Sequence, residues 1–518
     1  MENIKIDQLG YRPSDPKKAI IPQEVTEFDV VSVSDNKVVF KANASESVFC
    51  EASKETVRIA DFSAVTTLGE YRIETSNGSS FNFPINDKPY GSLRKSLLDF
   101  FHYQKCGVDL DAGVWSHPAC HTSPAFVIDA NGKKTGEKKD VSGGWHDAGD
   151  YGRYIVPAAQ TVAQLLLAYE LSPNPDNEVL DVTWFEIEWM LKMQDDSTGG
   201  VYHKVSCKGF NPLNEMPEKE NGELLLCPVS ATATADFAAA MAMASRFYPE
   251  KKDKLLDAAI RAWNWCVKNP DVPGFKNPPG IETGEYGDHD SSDERFWAAC
   301  ELFAVTGDDE YHNYIKTREI SIGLGWSKMG TYGIIAYLLH AGNKADVNLT
   351  QKMKDTLFSA AEKIFEKCKT DHYGISLGTY YRWGSNMDVG NNAMTLLLVD
   401  HISNGHFPKN ENYREAALEH VHYLLGKNAL NQCYVSGFGS KPMRNPHHRP
   451  SVAVGKAVPG MVSGGPNGHT RGDVILHKTC EGLPPMKCFV DHIESCASNE
   501  IAIYWNSSVY FVLSYLGF

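Results

Sequence analysis

The chain has 518 residues, enough for a small module beside a large one, and its 42% hydrophobic and 22% charged content is ordinary for a globular protein. With 50 basic and 65 acidic side chains the formal net charge is −15, which argues against nucleic acid or an anionic membrane as a partner. No apolar run approaches the ~20 residues that span a bilayer. The N-terminus, MENIKIDQLGYRP, lacks the basic and apolar regions of a secretory signal. We expect a cytoplasmic protein, or a secreted one whose signal peptide is absent from this sequence.

The first 87 residues have the pattern of short β-strands. Residues 28–40 form two β-branched runs around a polar turn, and residues 71–85 place Asn77-Gly78 between alternating segments, which predicts a hairpin. Such strands with polar turns are typical of an immunoglobulin-like sandwich. Residues 86–92 then mark a boundary, so we predict domains at 1–87 and 88–518.

After this boundary the apolar spacing becomes helical. With weaker stretches added it predicts roughly a dozen helices; the clearest cover 154–171, 181–194, 230–247, 251–268, 291–306, 355–368, 388–404, 412–427 and 498–516. The long segments between them are rich in Gly, Pro and aromatic residues, and loops of that length are usually functional. The 12 cysteines are scattered. Cys266, Cys300 and Cys368 fall in helical patterns, which predicts buried reduced thiols and a reducing compartment.

The segment GGWHDAGDY, residues 143–151, gathers Asp147, Asp150 and His146 among aromatic residues. Two carboxylates this close disfavour joint ionisation, so one could act as a base. A tight turn or a calcium-type loop explains the same residues equally well.

Two further segments carry titratable groups. Glu500 opens the last predicted helix in NEIAIYWN, where it is either a capping residue or a proton donor with a pKa raised by apolar neighbours. In NPHHRPS, residues 445–451, two histidines and an arginine lie between prolines. That cluster suits a metal loop, a phosphate clamp or a hydroxyl-binding element.

Two thiols and two imidazoles form a fourth group. Such a set suits tetrahedral zinc, although its spacing matches none of the common finger patterns and chance clustering explains it too. The residues are Cys106, Cys120, His121 and His146.

Taken in order, these segments resemble glycoside hydrolase family 9, the inverting cellulase family, in its branch with an N-terminal immunoglobulin-like domain. The resemblance covers nearly the whole chain and is carried by IDQLGYRP, GGWHDAGDYGRYIVP, PVSATATADFAAAMAMASR, TGEYGDHDSSDERFWAACELFAVTGD, WGSNMDVGNNAM, LLGKNALNQCYVSGFGSKPMRNPHHRPS, PGMVSGGPN and NEIAIYWN. It implies a mainly α fold, in which an (α/α)6-barrel catalytic domain follows a small β-sandwich.

The resemblance also implies roles. Asp150 matches the general base, Asp147 helps to hold the attacking water, and Glu500 matches the general acid. The positions that match substrate-binding residues are His447, Arg449, Trp383 and Tyr504. Cys106, Cys120, His121 and His146 match a structural zinc site, which pins the catalytic loop instead of activating water.

Two departures from the family pattern stand out. The family often holds calcium with an acidic pair like Asp293-Glu294 and a carboxylate just after a Trp in the next loop, but here Ser327 and Lys328 follow that Trp. A lysine repels a cation, so the calcium expectation is weaker than the zinc one. Before Glu500, Cys496 replaces the usual aromatic residue and leaves the glutamate's own motif intact.

Inversion needs an acid on one face of the sugar and a base-activated water on the other, with the carboxyl groups roughly 6.5–9.5 Å apart. Aspartates as near in sequence as Asp147 and Asp150 do not easily flank a sugar ring, which leaves Glu500 as the acid. A zinc hydrolase would instead need an open coordination position. A non-catalytic sugar-binding protein is the alternative outside enzymes.

For the substrate we expect soluble β-1,4-glucans, namely cellodextrins, mixed-linkage glucan or carboxymethylcellulose, cut by a bacterial, monomeric endoglucanase or cellodextrinase. Loops 107–142 and 207–227 would set the specificity by closing the cleft. The alternatives within the family are an exo-acting β-glucosidase and a β-glucosaminidase.

Overall fold

Short β-branched runs build the N-terminal part of the computed structural model, which describes residues 3–405 and 412–518. Two antiparallel sheets have the strand orders β1-β5-β4 and β3-β2-β6-β7, and β8 pairs with β6. The strands are β1 Lys18–Pro22, β2 Glu27–Ser32, β3 Val38–Asn43, β4 Val48–Cys50, β5 Glu55–Asp61, β6 Gly69–Thr75, β7 Gly78–Ser79 and β8 Phe83–Ile85. The predicted hairpin at Asn77-Gly78 is confirmed, and the two runs in residues 28–40 pair as β2 and β3. Thr75 pairs with Gly78 across the turn, and Asn36 takes the left-handed backbone that the β2–β3 turn requires.

The remaining chain is mainly helical. Its helices are α1 Gly91–Tyr103, α2 Ile155–Leu171, α3 Glu178–Lys192, α4 Ala231–Ala244, α5 Lys252–Lys268, α6 Ser292–Thr306, α7 Asp309–Lys316, α8 Gly330–His340, α9 Val347–Thr370, α10 Ser385–Ser403, α11 Tyr413–Leu424, α12 Arg449–Val454, α13 Val474–Cys480, α14 Cys496–Asn499 and α15 Ile503–Tyr515. Every residue of α4 is buried, as expected for a helix that is apolar all round, and the Ser230 hydroxyl caps its first turn. Cys266, Cys300 and Cys368 lie buried and unpaired in α5, α6 and α9, as predicted.

The prediction of one helix over 498–516 is wrong. Helix α14 ends at Asn499 and α15 begins at Ile503, so Glu500 lies in an extended break instead of opening the last helix. Main-chain pairing keeps the break extended, because Glu500 forms a bridge with His447 and its carbonyl accepts the Gly464 N–H at 2.8 Å. Helical spacing alone could not show these long-range bonds.

The loops contain strands that the sequence did not reveal, because most are only two to four residues long. Five of them form a sheet in the order β10-β9-β13-β12-β11, and two more form a parallel pair. They are β9 Ala125–Ile128, β10 Lys134–Lys139, β11 Arg153–Tyr154, β12 Lys204–Ser206, β13 Leu225–Leu226, β14 Cys433–Ser436 and β15 Pro442–Met443.

By its contacts the chain divides into two units, one of Met1–Phe100 with Ala361–Phe518 and one of Phe101–Ala360. Within the first unit a buried polar cluster joins the sandwich to α11. Tyr90 donates to Asp7 Oδ2 at 2.7 Å, and His422 Nδ1 lies 2.7 Å from the same oxygen. Among the described residues, no helix is both long and apolar enough to cross a membrane.

Candidate active site

The loop GGWHDAGDY is fixed by glycine geometry and by main-chain hydrogen bonds. Gly144 has a φ of 76°, and a Cβ there would lie 2.6 Å from the Trp189 ring, so no other residue fits. Gln104, itself buried, accepts the His146 N–H through its carbonyl at 2.7 Å and donates from its side chain to the His146 and Ala148 carbonyls. The Asp147 N–H donates to the Gly152 carbonyl at 3.0 Å. The loop is therefore held on both sides of Asp147.

Asp147 and Asp150 are both buried, with 2% and 8% of their surfaces exposed. The Tyr286 hydroxyl donates to Asp147 Oδ2, while Asp147 Oδ1 has no hydrogen-bond partner among the described residues. Burial, with the nearby Asp150 charge, raises the pKa of Asp147 well above its usual value although the Tyr286 hydrogen bond lowers it. Asp150 Oδ2 accepts the Gly152 N–H at 3.0 Å and faces the Tyr154 hydroxyl at 3.5 Å. The two carboxylates thus have different partners.

The four predicted zinc ligands lie together and are buried. Their ligand atoms are all within 4.8 Å of one another: Cys106, Cys120, His121 and His146. Two sulfurs bound tetrahedrally at ~2.3 Å lie about 3.8 Å apart, which equals the 3.8 Å between the Cys106 and Cys120 sulfurs. Cys106 Sγ lies 3.5 Å from His121 Nδ1, and Cys120 Sγ lies 3.8 Å from His146 Nε2. The residues therefore fit a closed tetrahedral metal site.

Electrostatics favour a thiolate at this group. Burial raises the pKa of Cys106, but the Cys120 thiol and the charges of Arg153 and His146 bring it well below its usual value. His121 Nε2 lies 2.9 Å from Glu220 Oε2, so Nε2 carries the proton and Nδ1 faces the sulfur. Glu220 was not predicted, because nothing in MPEKENGE distinguishes it from a solvated acidic residue.

In the other unit, main-chain pairing brings Glu500 beside His447, whose N–H donates to the Asn499 carbonyl at 2.9 Å. His447 Nδ1 donates to the Ile493 carbonyl at 2.7 Å. Burial and the Arg449 charge lower the pKa of this imidazole, although the hydrogen bond to the Ile493 carbonyl and the Asp473 charge act to raise it. Arg449 begins α12 and is 4% exposed.

The predicted aromatic residues in this unit differ in exposure. Trp383 is 46% exposed, whereas Tyr504, in the first turn of α15, is 6% exposed. Gly384, next to Trp383, packs on the ring of Trp505, and a Cβ there would lie 3.3 Å from it. An exposed tryptophan on a glycine turn is available to stack on a sugar face.

Asp293 and Glu294 lie in the first turn of α6. Asp293 Oδ2 accepts the Met329 N–H at 2.5 Å, and neither carboxylate oxygen of Glu294 has a hydrogen-bond partner among the described residues. Burial, followed by the Asp236 charge, raises the pKa of Glu294 well above its usual value. In residues 3–405 and 412–518, the Cys106 group is the only set of three or more Cys, His, Asp or Glu side chains placed to hold a metal ion. The acidic pair has a much poorer fit to a metal than the thiol–imidazole group.

Two sequence profiles match the chain: Glycosyl hydrolase family 9 over residues 90–513, and a cellulase N-terminal Ig-like domain over residues 1–80. The chain belongs to glycosyl hydrolase family 9. A family 9 resemblance was predicted from the motifs, and it is confirmed.

Family 9 relatives match almost the whole chain. A cellodextrinase of Butyrivibrio fibrisolvens is 34% identical over 99% of each chain, and endoglucanase D of Acetivibrio thermocellus is 35% identical over 99% of this chain and 83% of its own. The solved structure of a single mutant of a thermostable endoglucanase from Alicyclobacillus acidocaldarius is 37% identical, covers 99% of both chains and has a TM-score of 0.91. The protein is a glycoside hydrolase with an (α/α)6-barrel catalytic domain after a small immunoglobulin-like sandwich, as predicted.

Proposed function

We propose that this family 9 enzyme hydrolyses β-1,4-glucosidic bonds in soluble glucans and cellodextrins with inversion at the anomeric carbon. The observation that carries the proposal is the buried pair Asp147 and Asp150, each facing a tyrosine hydroxyl. Both carboxylates belong to one rigid loop, and Asp147 keeps one oxygen without a partner among the described residues. Such an oxygen suits a group that orients a water molecule.

In the proposed reaction Glu500 gives its proton to the glycosidic oxygen, and the bond from that oxygen to the anomeric carbon breaks. Water attacks the carbon from the opposite face, and Asp150 takes a proton from it while Asp147 holds it in line. The reaction consumes one water molecule and releases two shorter sugar chains. The new reducing end is formed as the α-anomer. An inverting geometry requires roughly 6.5–9.5 Å between the acid and base carboxyl groups.

The proposed substrate-binding residues supply the usual contacts to sugars. His447 and Arg449 provide hydrogen-bond donors for hydroxyl groups, and Trp383 and Tyr504 provide aromatic faces. The relatives support the substrate class, since their names include a cellodextrinase and an endoglucanase. Endo action on short soluble chains is the form that we propose.

We propose that Cys106, Cys120, His121 and His146 hold one structural zinc ion. Four protein ligands complete its coordination, so the ion would brace the loop and would not present water to the substrate. Calcium at Asp293 and Glu294 stays a prediction, and elemental analysis of the purified protein checks both metals. Absence of stoichiometric zinc would contradict the zinc proposal.

The domain boundary at residues 87 and 88 and a monomeric state are also proposals. Light scattering coupled to size exclusion tests the second, because a monomer has a mass of 57.4 kDa.

The test of function is a substrate panel of cellotetraose, lichenan, carboxymethylcellulose and chitosan oligosaccharides, with product lengths followed over time. Hydrolysis of the glucans to mixed lengths is expected. Activity on chitosan alone would overturn the glucan assignment, and release of one terminal sugar per event would overturn endo action. NMR of the first-formed anomer is the stereochemical check, and an initial β-product would contradict inversion.

A further inference from the structure

Lys204 is a fully buried lysine in β12, with 0% of its surface exposed. Its ammonium group donates to the Gly284 carbonyl at 2.6 Å, the Thr283 hydroxyl at 3.0 Å and the Thr283 carbonyl at 3.2 Å. These three acceptors match the three donors of an ammonium group. Burying a lysine is costly even when its hydrogen bonds are satisfied, so fully buried lysines are rare. A role for Lys204 is therefore sought in the residues that it contacts.

Neighbouring side chains bind the same segment. The Ser206 and Thr283 hydroxyl groups form a hydrogen bond, with their oxygens 2.8 Å apart. His203 Nε2 donates to the Glu285 carbonyl at 2.8 Å, and its ring stacks on Phe275 with centroids 3.6 Å apart. Side chains of residues 203–206, in and just before β12, therefore bind residues 283–285 through polar contacts.

Residues 283–285 are followed directly by Tyr286, whose hydroxyl donates to Asp147. Tyr286 has a φ of 46°, a left-handed conformation that is uncommon for a bulky residue and needs support from its surroundings. On its other side β12 pairs with β11, where Tyr154 lies opposite Lys204 and faces Asp150. Both tyrosine hydroxyls thus depend on the strand that carries Lys204.

Charge adds a second effect. The groups that interact electrostatically with the Lys204 ammonium are Cys227, Asp150 and Glu285, and the ammonium also lies 5.4 Å from the Tyr154 ring centroid. Burial lowers the pKa of Lys204 to about 8, while these neighbours favour its charged form. At and below neutral pH Lys204 is therefore a cation whose charge acts on Asp150.

We propose that Lys204 is a positioning residue for the water-activating side of the reaction. Its ammonium group holds Tyr286 in its left-handed conformation, and its charge stabilises the ionised form of Asp150. This inference rests on the proposed function, in which Asp150 is the base. A purely structural lysine would affect the stability of the fold without acting on the ionisation of Asp150.

The test compares Lys204→Met, which keeps the length of the side chain and removes the charge, with Lys204→Arg, which keeps the charge. Lys268→Met is the matched control, since Lys268 is an exposed lysine at the end of α5, outside the segments assigned to the cleft. In Lys204→Met we expect kcat on cellotetraose to fall at least tenfold while KM changes less than twofold. Removing a nearby cation raises the pKa of a carboxylate, so the acid limb of the kcat profile should move to higher pH. Lys204→Arg should return the limb toward its wild-type position.

A substrate-free measurement separates this inference from the proposed function. Titration of the Asp150 carboxyl by carbon-13 NMR should give a higher pKa in Lys204→Met than in the wild type and in Lys268→Met. An unchanged Asp150 titration overturns the inference, even where thermal stability drops. Loss of the proposed function would show separately, as a wild-type enzyme that fails to cut any glucan of the panel.

Discussion

The loop around Asp147 and Asp150 and the segment around Glu500 hold carboxyl groups in different ways. The aspartates are buried, and side-chain hydroxyl groups face both of them. Glu500 is half-buried, and main-chain pairing with His447 and Gly464 fixes its backbone. A base that must orient a water needs fixed partners on the carboxylate itself, whereas an acid that protonates an incoming oxygen needs a fixed backbone and an accessible carboxyl.

The largest expected effect comes from breaking the acid side. Glu500→Gln should lose about 10²–10⁴-fold in kcat on natural glucans, because general acid catalysis contributes about that factor. An aryl cellobioside with a dinitrophenolate leaving group needs no protonation, so on it Glu500→Gln should regain most activity and Asp150→Asn should not. Glu494→Gln, an exposed neighbour, is the control. Near-normal turnover of Glu500→Gln on cellotetraose would refute the assignment of the acid.

On the base side, Tyr286→Phe should lower kcat by about 10- to 100-fold, since a hydrogen bond to a charged group is worth about 1.5–3 kcal/mol. KM should change little, because the lost contact is to Asp147 and not to substrate. Tyr380→Phe, at a tyrosine that is 60% exposed, should be neutral in the same assay. Equal kcat values for the two variants would show that the Tyr286 hydroxyl does not assist Asp147.

Removing the metal should loosen the loop that carries the aspartates without touching the Glu500 segment. Chelation or Cys106→Ser should lower Tm by roughly 5–10 °C, as expected for loss of a few kcal/mol of ligand stabilisation in a large domain. Cys496→Ser lies outside the metal group and should retain stoichiometric zinc. Hydrogen exchange should rise in residues 143–152 of the chelated protein, and unchanged exchange there would contradict a bracing role.

The smallest effect is expected from Glu220→Gln, which weakens the acceptor for His121 Nε2. Outer-shell carboxylates of this kind contribute about 10–100-fold to metal affinity, so zinc should dissociate more readily while activity at saturating zinc stays near wild type. Competition with a fluorescent chelator measures the affinity. Glu223→Gln is the exposed control. Equal zinc affinities of the two variants would show that Glu220 does not orient His121.

The sequence was informative where a local pattern determines the structure. Asn77-Gly78 predicted its hairpin. The group of Cys106, Cys120, His121 and His146 has no local pattern, and residue type together with the family resemblance singled it out. The family resemblance supplied the barrel, which helical spacing alone had left open.

Features that depend on long-range main-chain bonds could not be predicted. The break at Glu500 exists because of main-chain bonds to His447 and Gly464, whereas the apolar residues after it recur at helical spacing in the sequence. Nothing in the sequence distinguishes Tyr286 or Lys204. Their importance depends on the fold, in which Lys204 of β12 binds the residues just before Tyr286.

The cluster of Asp7, Tyr90 and His422 bears on how this enzyme could be re-engineered. Deleting the first 87 residues would remove Asp7 and leave the Tyr90 hydroxyl and the His422 imidazole without their common acceptor. It would also uncover the face of His422 on which the Tyr11 ring now packs. Loss of a shared acceptor destabilises the cluster, and newly exposed apolar surface promotes association, so a shortened enzyme would be prone to aggregate. The sandwich is in this sense part of the folding unit rather than an interchangeable accessory, and domain shuffling should preserve this junction.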